Sequence, residues 1–152
     1  MSHVELTEQI IESMRARDPD EPIAMINLLK FRDSALPELN MGSTTGHDCY
    51  FDHYGAGVSP IADRLGTGYS LLYLNEVHSC FFATIDEDWD YLLILQYPSR
   101  RAFIEMVTDP EYQELLKYRS AALANSRLIE CVNDTPVDYP LNLQAPPPSD
   151  PV

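Results

Sequence analysis

The stretch that decides the fold is Trp89–Ile129, with the sequence WDYLLILQYPSRRAFIEMVTDPEYQELLKYRSAALANSRLI. Its apolar first part predicts a buried strand over Tyr91–Gln96, which the turn residues Pro98 and Ser99 close. A helix follows, with Ser99 as its N-cap and apolar residues at i, i+3 and i+4. The pair Asp109-Pro110 interrupts that helix and starts a second one. Asn125-Ser126 should end the second helix, and a last strand is expected over Leu128–Val132.

Upstream of this stretch, the hydrophobic pattern predicts further helices and strands. Residues 33–46 are rich in turn-forming types and should form a mobile loop. The predicted helices are Leu6–Arg17 and Asp48–Leu65, the latter kinked or divided by Pro60, and the predicted strands are Pro22–Phe31, Tyr69–Leu74 and Val77–Ala83, the last two joined by a turn at Asn75-Glu76. This order, with one extra short strand, predicts an α+β fold. The predicted fold is a ferredoxin-like split βαβ sandwich with an antiparallel sheet and helices on one face.

The predicted strands are apolar on both of their faces. Strand Pro22–Phe31 presents Met25 and Leu29 on one face and Ile26 and Leu28 on the other. A sheet covered by helices on one side only should instead alternate apolar and polar residues. Because leaving such side chains in water would forgo several kcal/mol at ~25 cal/mol per Å², we expect a homodimer packed sheet to sheet, enclosing a cavity.

The chain divides into three segments by composition. Residues 1–21 hold the N-terminal helix, residues 22–132 form the barrel-type domain, and residues 133–152 form a tail that holds half of the twelve prolines. The tail has no apolar period, so we expect it to be solvated or loosely docked.

The charge balance excludes two classes of partner. Ten Lys+Arg residues against twenty-four Asp+Glu residues give a formal net charge of −14. Such a chain repels phosphate backbones and anionic lipid headgroups, so neither nucleic acid nor a membrane is an expected partner. No apolar run reaches the ~18 residues of a membrane span, and no signal-peptide pattern is visible. Cys49, Cys80 and Cys131 do not indicate a disulfide framework, which predicts a cytoplasmic location.

Short motifs along the chain resemble the domain-of-unknown-function 1330 family, within the dimeric α+β barrel superfamily. The resemblance covers residues 22–132, and its later half is the more specific. It rests on Ile26-Asn27-Leu28-Leu29-Lys30-Phe31-Arg32, Tyr54-Gly55, Trp89-Asp90, Tyr97-Pro98-Ser99, Phe103 with Met106, Asp109-Pro110-Glu111-Tyr112, Arg119 and Ser126-Arg127-Leu128-Ile129. It implies a ferredoxin-like protomer and a barrel formed by two sheets. The superfamily includes cofactor-free monooxygenases, isomerases, polyketide cyclases, haem-degrading enzymes and ligand-sensing modules, so the resemblance implies no single reaction.

Strand Pro22–Phe31 carries three polar candidates. Asn27 lies between apolar neighbours and could hold a substrate carbonyl or oxyanion, or it could be satisfied by the backbone. Lys30 and Arg32 end the strand in a chain with few cations. They could attract an anionic substrate, or they could be an ordinary salt-bridged surface pair.

The run His47–Tyr54 is dense in reactive residue types. Cys49 and His53 are spaced i, i+4 and could share a metal, but no second ligand pair accompanies them, so we expect no metal site. Tyr54 should face a pocket between helix and sheet, and either Tyr50 or His53 could face it too. There His53 could move a proton while a tyrosine hydroxyl donates to developing negative charge, or Tyr54 could be a core aromatic.

Three further residues are candidates in the later half of the chain. His78, on an inward face of the predicted strand Val77–Ala83, is either the general base or a satisfied structural histidine. Trp89 could wall a pocket or anchor the core. Arg119 could line the pocket or tie helix to helix through a carboxylate.

No GxGxxG, P-loop, HExxH, GxSxG or paired CxxC motif is present. The sequence therefore favours a cofactor-independent enzyme that acts on a small organic molecule of aromatic or polyketide-like type. In that hypothesis Asn27 and Tyr54 polarise a carbonyl while His78 or His53 moves a proton. The alternative is a non-catalytic ligand-binding or stress-response module.

Overall fold

The computed structural model describes residues 4–40 and 42–133, which form one four-stranded sheet with helices packed against it. A π-helical segment, Cys49–Gly55, and a 3-10 turn, Pro37–Leu39, complete the regular structure. The helices are α1 (Glu8–Arg15), α2 (Gly46–Asp48), α3 (Ala56–Leu65), α4 (Arg100–Thr108) and α5 (Pro110–Ala122), and the strands are β1 (Ile23–Phe31), β2 (Ser70–Glu76), β3 (Tyr91–Tyr97) and β4 (Leu123–Val132). The predicted tail, residues 133–152, lies outside the described residues apart from Asn133.

The sheet is antiparallel with the strand order β2-β3-β1-β4. β1 and β2 are joined through α2, the π-helical segment and α3, and β3 inserts between them. A second crossover, α4 with α5, leads from β3 to the outer strand β4. This is the split βαβ arrangement of a ferredoxin-like fold, as the sequence predicts.

The two faces of the sheet differ in what covers them. On β1, Ile23, Met25 and Leu29 are completely or almost completely buried and belong to the core formed with the helices. Ile26 and Leu28 point to the other face and remain partly exposed. Residues opposite each other in the register share a face, so this second face, which we call the open face, is formed by Ala24, Ile26, Leu28, Lys30, Ser70, Tyr73, Asn75, Leu92, Ile94, Gln96, Asn125, Arg127, Ile129 and Cys131.

Two capping residues place the helices as the sequence predicts. The Ser99 hydroxyl accepts a hydrogen bond from the Ala102 amide at 3.1 Å, which starts α4. Asp109 ends α4 and begins α5, where its carboxylate accepts from the Glu111 amide at 3.0 Å. Pro110, the first residue of α5, needs no hydrogen-bond partner for its nitrogen there.

The predicted strand Val77–Ala83 is wrong. Its residues belong to a loop that spans 77–90 and connects β2 to β3. The predicted turn at Asn75-Glu76 is wrong too, because β2 continues to Glu76. The apolar strand Tyr91–Tyr97 takes the inner edge of β2 and pairs with β1 on its other side. A hairpin over 77–83 would have needed that same edge.

Smaller corrections concern where helices begin and end. α5 ends at Ala122 and β4 begins at Leu123, so Asn125-Ser126 lies within a strand instead of ending a helix. Pro60 lies inside α3 without dividing it, and the irregularity of the predicted helix Asp48–Leu65 is the π-helical segment. Within the described residues, no helix combines the length and apolar character that crossing a membrane requires.

Candidate functional site

A cavity of about 830 Å³ lies between the helix-facing side of the sheet and the helices of the same chain. The sequence places Tyr54 in such a pocket between helix and sheet, and it also predicts a cavity enclosed by the sheets of two subunits. Beside aliphatic side chains, aromatic side chains from the helices and the sheet form part of the wall of the observed cavity. They are Tyr50, Phe51, Tyr54, Tyr69, Tyr97, Phe103 and Tyr112. The residues 4–7 and Ile10 contribute to another part of the wall.

The π-helical segment supplies three of the aromatic residues. Its wider turn presents Tyr50, Phe51 and Tyr54 to the cavity, with the Tyr50 and Tyr54 ring centroids 5.1 Å apart. Such insertions into helices occur frequently at functional sites. The sequence predicts Tyr54 as a pocket residue, with Tyr50 or His53 as the alternatives beside it, but the π-helical turn has no clear signature in the sequence.

Tyr54 is paired with a residue that the sequence analysis did not select. The Tyr54 and Tyr112 hydroxyl oxygens are 2.6 Å apart and buried. Tyr112 lies in the first turn of α5, on the same helical face as Leu115, Leu116 and Arg119. That spacing was visible in the sequence. A tyrosine among apolar residues on a helix face, however, usually indicates core packing.

Three of the cavity phenols, Tyr50, Tyr97 and Tyr112, are held in their protonated form. Burial raises the pKa of Tyr50 above its ordinary value, and the nearby Tyr54 adds to the rise while Arg119 opposes it. Burial likewise raises the pKa of Tyr97 and of Tyr112. At neutral pH these groups are therefore hydrogen-bond donors, suited to an oxygen that carries negative charge.

Arg119 brings a positive charge to the wall of the cavity. It is 9% exposed, and its guanidinium donates to the Val4 carbonyl and to the Ser126 hydroxyl, the latter at 3.5 Å. Within residues 4–40 and 42–133, no carboxylate lies within 4.0 Å of it. The prediction that Arg119 ties two helices through a carboxylate is therefore wrong for the described residues.

Asn27 lies in the middle of β1 and also lines the cavity. It is 7% exposed, and its amide nitrogen donates to the Met25 carbonyl in a long hydrogen bond of 3.4 Å. Its neighbours across the sheet are Leu93 and Leu128. The backbone contact predicted for this amide is present, and the side chain also reaches the cavity.

Neither candidate histidine lies in the wall of the cavity. His78 is exposed in the loop 77–90, so the prediction that placed it on an inward strand face is wrong. His53 is exposed and stacks on Tyr118, with ring centroids 5.4 Å apart. It shares the π-helical segment with Tyr54 but points away from the cavity.

The remaining candidates make structural contacts outside the cavity. Lys30 forms ion pairs with Asp88 at 2.9 Å and Asp90 at 3.0 Å. Trp89 is 4% exposed, and its indole nitrogen donates to Glu87 at 2.8 Å. Arg127, which also contributes to the cavity wall, stacks over the Trp89 ring and pairs with the same Glu87. Arg32 is half-buried, and its Nε atom has no hydrogen-bond partner among the described residues.

The described part of the chain shows no group of three or more potential metal ligands. The Cys49 thiol donates to the Tyr118 carbonyl at 3.4 Å, and His53 stacks on the ring of the same tyrosine. Burial raises the pKa of this thiol, which keeps it protonated.

These features define a ferredoxin-like α+β protein with an aromatic-lined cavity inside one chain. The crystal structure of a protein of unknown function from Rhodopseudomonas palustris is similar to it. The two share 35% sequence identity over 90% of this chain and 100% of that one, with a TM-score of 0.76. The methylated form of that protein matches equally, with 35% identity over 90% of this chain and 98% of that one and a TM-score of 0.77. The chain belongs to the same family as this Rhodopseudomonas palustris protein.

A dimeric, ferredoxin-like protein of unknown function from Bacteroides fragilis aligns more distantly, with 11% identity over 76% of this chain and 100% of that one and a TM-score of 0.47. No protein-family model matches the chain, and neither does any curated protein. The resemblance to the domain-of-unknown-function 1330 family therefore rests on the motifs quoted above.

Proposed function

We propose that this protein binds a small, planar, aromatic or polyketide-like molecule in the cavity and acts on it as a cofactor-independent enzyme. The observation that carries this proposal is the convergence of hydrogen-bond donors inside a largely apolar wall that is rich in aromatic residues. The donors are the Tyr54–Tyr112 hydroxyl pair and the Asn27 amide. Apolar pockets with a few convergent polar groups are the usual form of small-molecule sites.

The chemistry that fits these donors is the polarisation of a carbonyl group. A hydrogen bond from a buried phenol to a carbonyl oxygen becomes stronger as that oxygen gains negative charge, so an enolate is stabilised more than the ketone. Isomerisation, cyclisation and oxygenation of an enolisable substrate all pass through such a charge. The raised pKa of Tyr112 keeps its proton available for this role.

An enzyme of this kind also needs a group that accepts a proton from the substrate. Among the described residues of the cavity wall, Glu5 is the one carboxylate, and no histidine is present. Glu5 is exposed and accepts a hydrogen bond from the Ser120 hydroxyl at 3.4 Å. In the enzyme hypothesis, the proton is accepted either by Glu5 or by a water molecule that enters the cavity with the substrate. This arrangement also favours a second candidate function, a module that binds its ligand without turnover.

A single measurement separates the two candidates. We expect the protein to accelerate deuterium incorporation next to the carbonyl of β-tetralone, followed by NMR in deuterated buffer, and Tyr54→Phe to slow it about tenfold or more. Tyr118→Phe is the matched control, because Tyr118 lies on α5 outside the cavity wall. Binding of the ketone without exchange would favour the non-catalytic module. No binding of planar aromatic ketones or acids would contradict both.

We also propose that two copies associate through the open face. Tyr73 and Ile129 on this face are 48% and 45% exposed. In the loop 77–90, Phe81, Phe82 and Ile85 are each at least 89% exposed. Apolar surface of this extent is typical of an interaction site. Light scattering at micromolar concentration should give the mass of a dimer, and Ile129→Asp should shift it towards the monomer; a monomeric wild-type protein would contradict the proposal.

A further inference from the structure

Arg119 stands out among the cations of the chain. In the described residues, every Lys or Arg except Arg32 and Arg119 has a carboxylate within 4.0 Å. Acidic residues outnumber basic ones by more than two to one, so an unpaired cation is unexpected. Arg32 does not line the cavity, whereas Arg119 does.

Among the described residues, the groups in contact with the Arg119 guanidinium are neutral. They are the Val4 carbonyl, the Ser126 hydroxyl and the protonated phenols of Tyr50 and Tyr112. These groups solvate the cation without neutralising it. Glu5 is the nearest acid along the chain to Val4, but its carboxylate is not within ion-pair distance of Arg119. The guanidinium also lies in the last turn of α5, where the helix dipole favours a positive charge.

A buried cation without an acidic partner is costly unless something compensates it. The space next to this guanidinium is the cavity, and a bound anion could supply the missing charge there. A carboxylate matches the planar guanidinium with two parallel hydrogen bonds. The apolar wall of the same cavity would accept the rest of a planar molecule, between Leu93 and Leu95 of the sheet and the aromatic residues of the helices.

We propose that the ligand of this cavity is a planar organic carboxylate, whose acid group pairs with Arg119 and whose ring system lies in the aromatic part of the cavity. This inference rests on the proposed function and names its substrate class. Because the protein surface is acidic and repels anions, discrimination in favour of the acid must arise inside the cavity. A second hydrogen bond to the carboxylate can come from a tyrosine hydroxyl near the guanidinium.

The test compares naphthoate with naphthamide, substituted at the same ring position, by isothermal titration calorimetry. The two probes have nearly the same shape and differ in charge. The wild-type protein should bind naphthoate about tenfold or more tightly than naphthamide. Arg119→Met should remove that preference and leave the affinity for naphthamide within about threefold. Arg119→Lys, which keeps the charge but loses the planar fork, should retain part of it.

Arg64→Met serves as the control for the change in net charge. Arg64 is exposed, pairs with Asp109 and lies outside the cavity wall. The variant should bind both probes as the wild type does. Equal affinities for naphthoate and naphthamide in the wild type would overturn the carboxylate assignment and leave the proposed function standing. If neither probe binds, the proposed function fails with it. The wild-type and Arg119→Lys results decide the matter even if Arg119→Met does not fold.

Discussion

The hydroxyl oxygens of Tyr54 and Tyr112 lie 2.6 Å apart and connect the π-helical segment to α5 across 58 positions of sequence. One of the two hydroxyls must donate to the other, so one proton of the pair remains free to point into the cavity. The ring centroids are 6.1 Å apart in an edge-on arrangement, which holds both hydroxyls in place. The pair therefore presents a ligand with one preorganised donor that is supported by a second.

Removal of one hydroxyl of the Tyr54–Tyr112 pair should lower the stability of the protein as well as its affinity for a ligand. Tyr112→Phe leaves the buried Tyr54 hydroxyl without its partner, which should lower the free energy of unfolding by about 1–3 kcal/mol. The double variant Tyr54→Phe/Tyr112→Phe should lose less than the sum of the two single variants, because no unpaired hydroxyl remains. Urea denaturation measures all three variants, and Tyr118→Phe is the control outside the pair. Strictly additive losses would show that the two hydroxyls do not interact.

Arg100 and Arg101 are neighbours in sequence that should differ greatly in their effect on stability. Arg100 is 1% exposed and pairs with Glu130 at 2.8 Å and with Glu21 at 2.6 Å. Its guanidinium also donates to the Asp18 carbonyl, so it joins α4 to β4 and to the turn before β1. Arg100→Met leaves Glu21 without a cation and leaves Glu130 with Arg17 alone, at 3.5 Å, so it should cost about 3–5 kcal/mol in thermal or urea unfolding.

The adjacent residue provides the control for this substitution. The Arg101 side chain is 53% exposed, and its ion pair with Asp20 is 2.9 Å long. Since exposed ion pairs contribute little, Arg101→Met should change the free energy of unfolding by less than about 1 kcal/mol. Similar losses for the two variants would mean that the buried network does not stabilise the fold.

The parts of the fold that the sequence predicted correctly have local signals. The Ser99 cap, the Asp109-Pro110 restart and the apolar run of β3 each act within a few residues, and each appears in the structure as predicted. The loop 77–90 shows where local signals fail. Residues 77–83 have strand-forming side chains, but pairing is decided by which strand competes best for the edge of β2, and that is a long-range property.

The candidate site was predictable to a similar extent. Tyr50, Tyr54, Asn27 and Arg119 were selected from spacing, polarity within apolar segments and the family motif, and all four line the cavity. The hydrogen bond between Tyr54 and Tyr112 could not be predicted, because the two residues are 58 positions apart and the sequence around each one does not indicate the other. Nor did the strand faces indicate that the cavity forms within a single chain, because apolar residues line both sides of the sheet.

Gly46 should tolerate no side chain. A Cβ atom there would lie 2.4 Å from both the Ala122 and Arg32 carbonyl oxygens, which are backbone atoms that cannot move aside. Its amide donates to the Arg32 carbonyl at 3.0 Å and so ties the start of α2 to the end of β1. Gly46→Ala should therefore lower the free energy of unfolding by about 1–3 kcal/mol or prevent folding.

Gly55 is the matched position for this substitution. A Cβ atom there would meet nothing closer than the Tyr50 carbonyl oxygen at 3.4 Å, and the residue is helical. Because alanine has a higher helix propensity than glycine, Gly55→Ala should be neutral or stabilise the protein by up to ~1 kcal/mol. Thermal unfolding of the two variants provides the comparison, and an equally stable Gly46→Ala protein would contradict the close backbone approach.

Alkaline pH should destabilise the protein through its buried phenols. Burial raises the pKa of Tyr50, Tyr97 and Tyr112 in the folded state, whereas the unfolded chain ionises near the ordinary value of about 10. The unfolded state therefore holds fewer protons above that pH, and the stability present below it is lost as pH rises towards the folded pKa. Each phenol should contribute a slope of about −1.4 kcal/mol per pH unit.

Tyr97→Phe isolates the contribution of one phenol to this slope. The ring contact with Phe103, whose centroid is 5.0 Å away, is retained, while the ionisable hydroxyl is removed. Lys30 also loses its proton at alkaline pH, where its ion pairs raise its pKa, but the variant leaves that term unchanged. Urea unfolding between about pH 8 and pH 11 should give the variant a slope above pH 10 that is shallower by about 1.4 kcal/mol per pH unit. Equal slopes for the variant and the wild type would show that Tyr97 ionises as readily in the folded protein as in the unfolded chain.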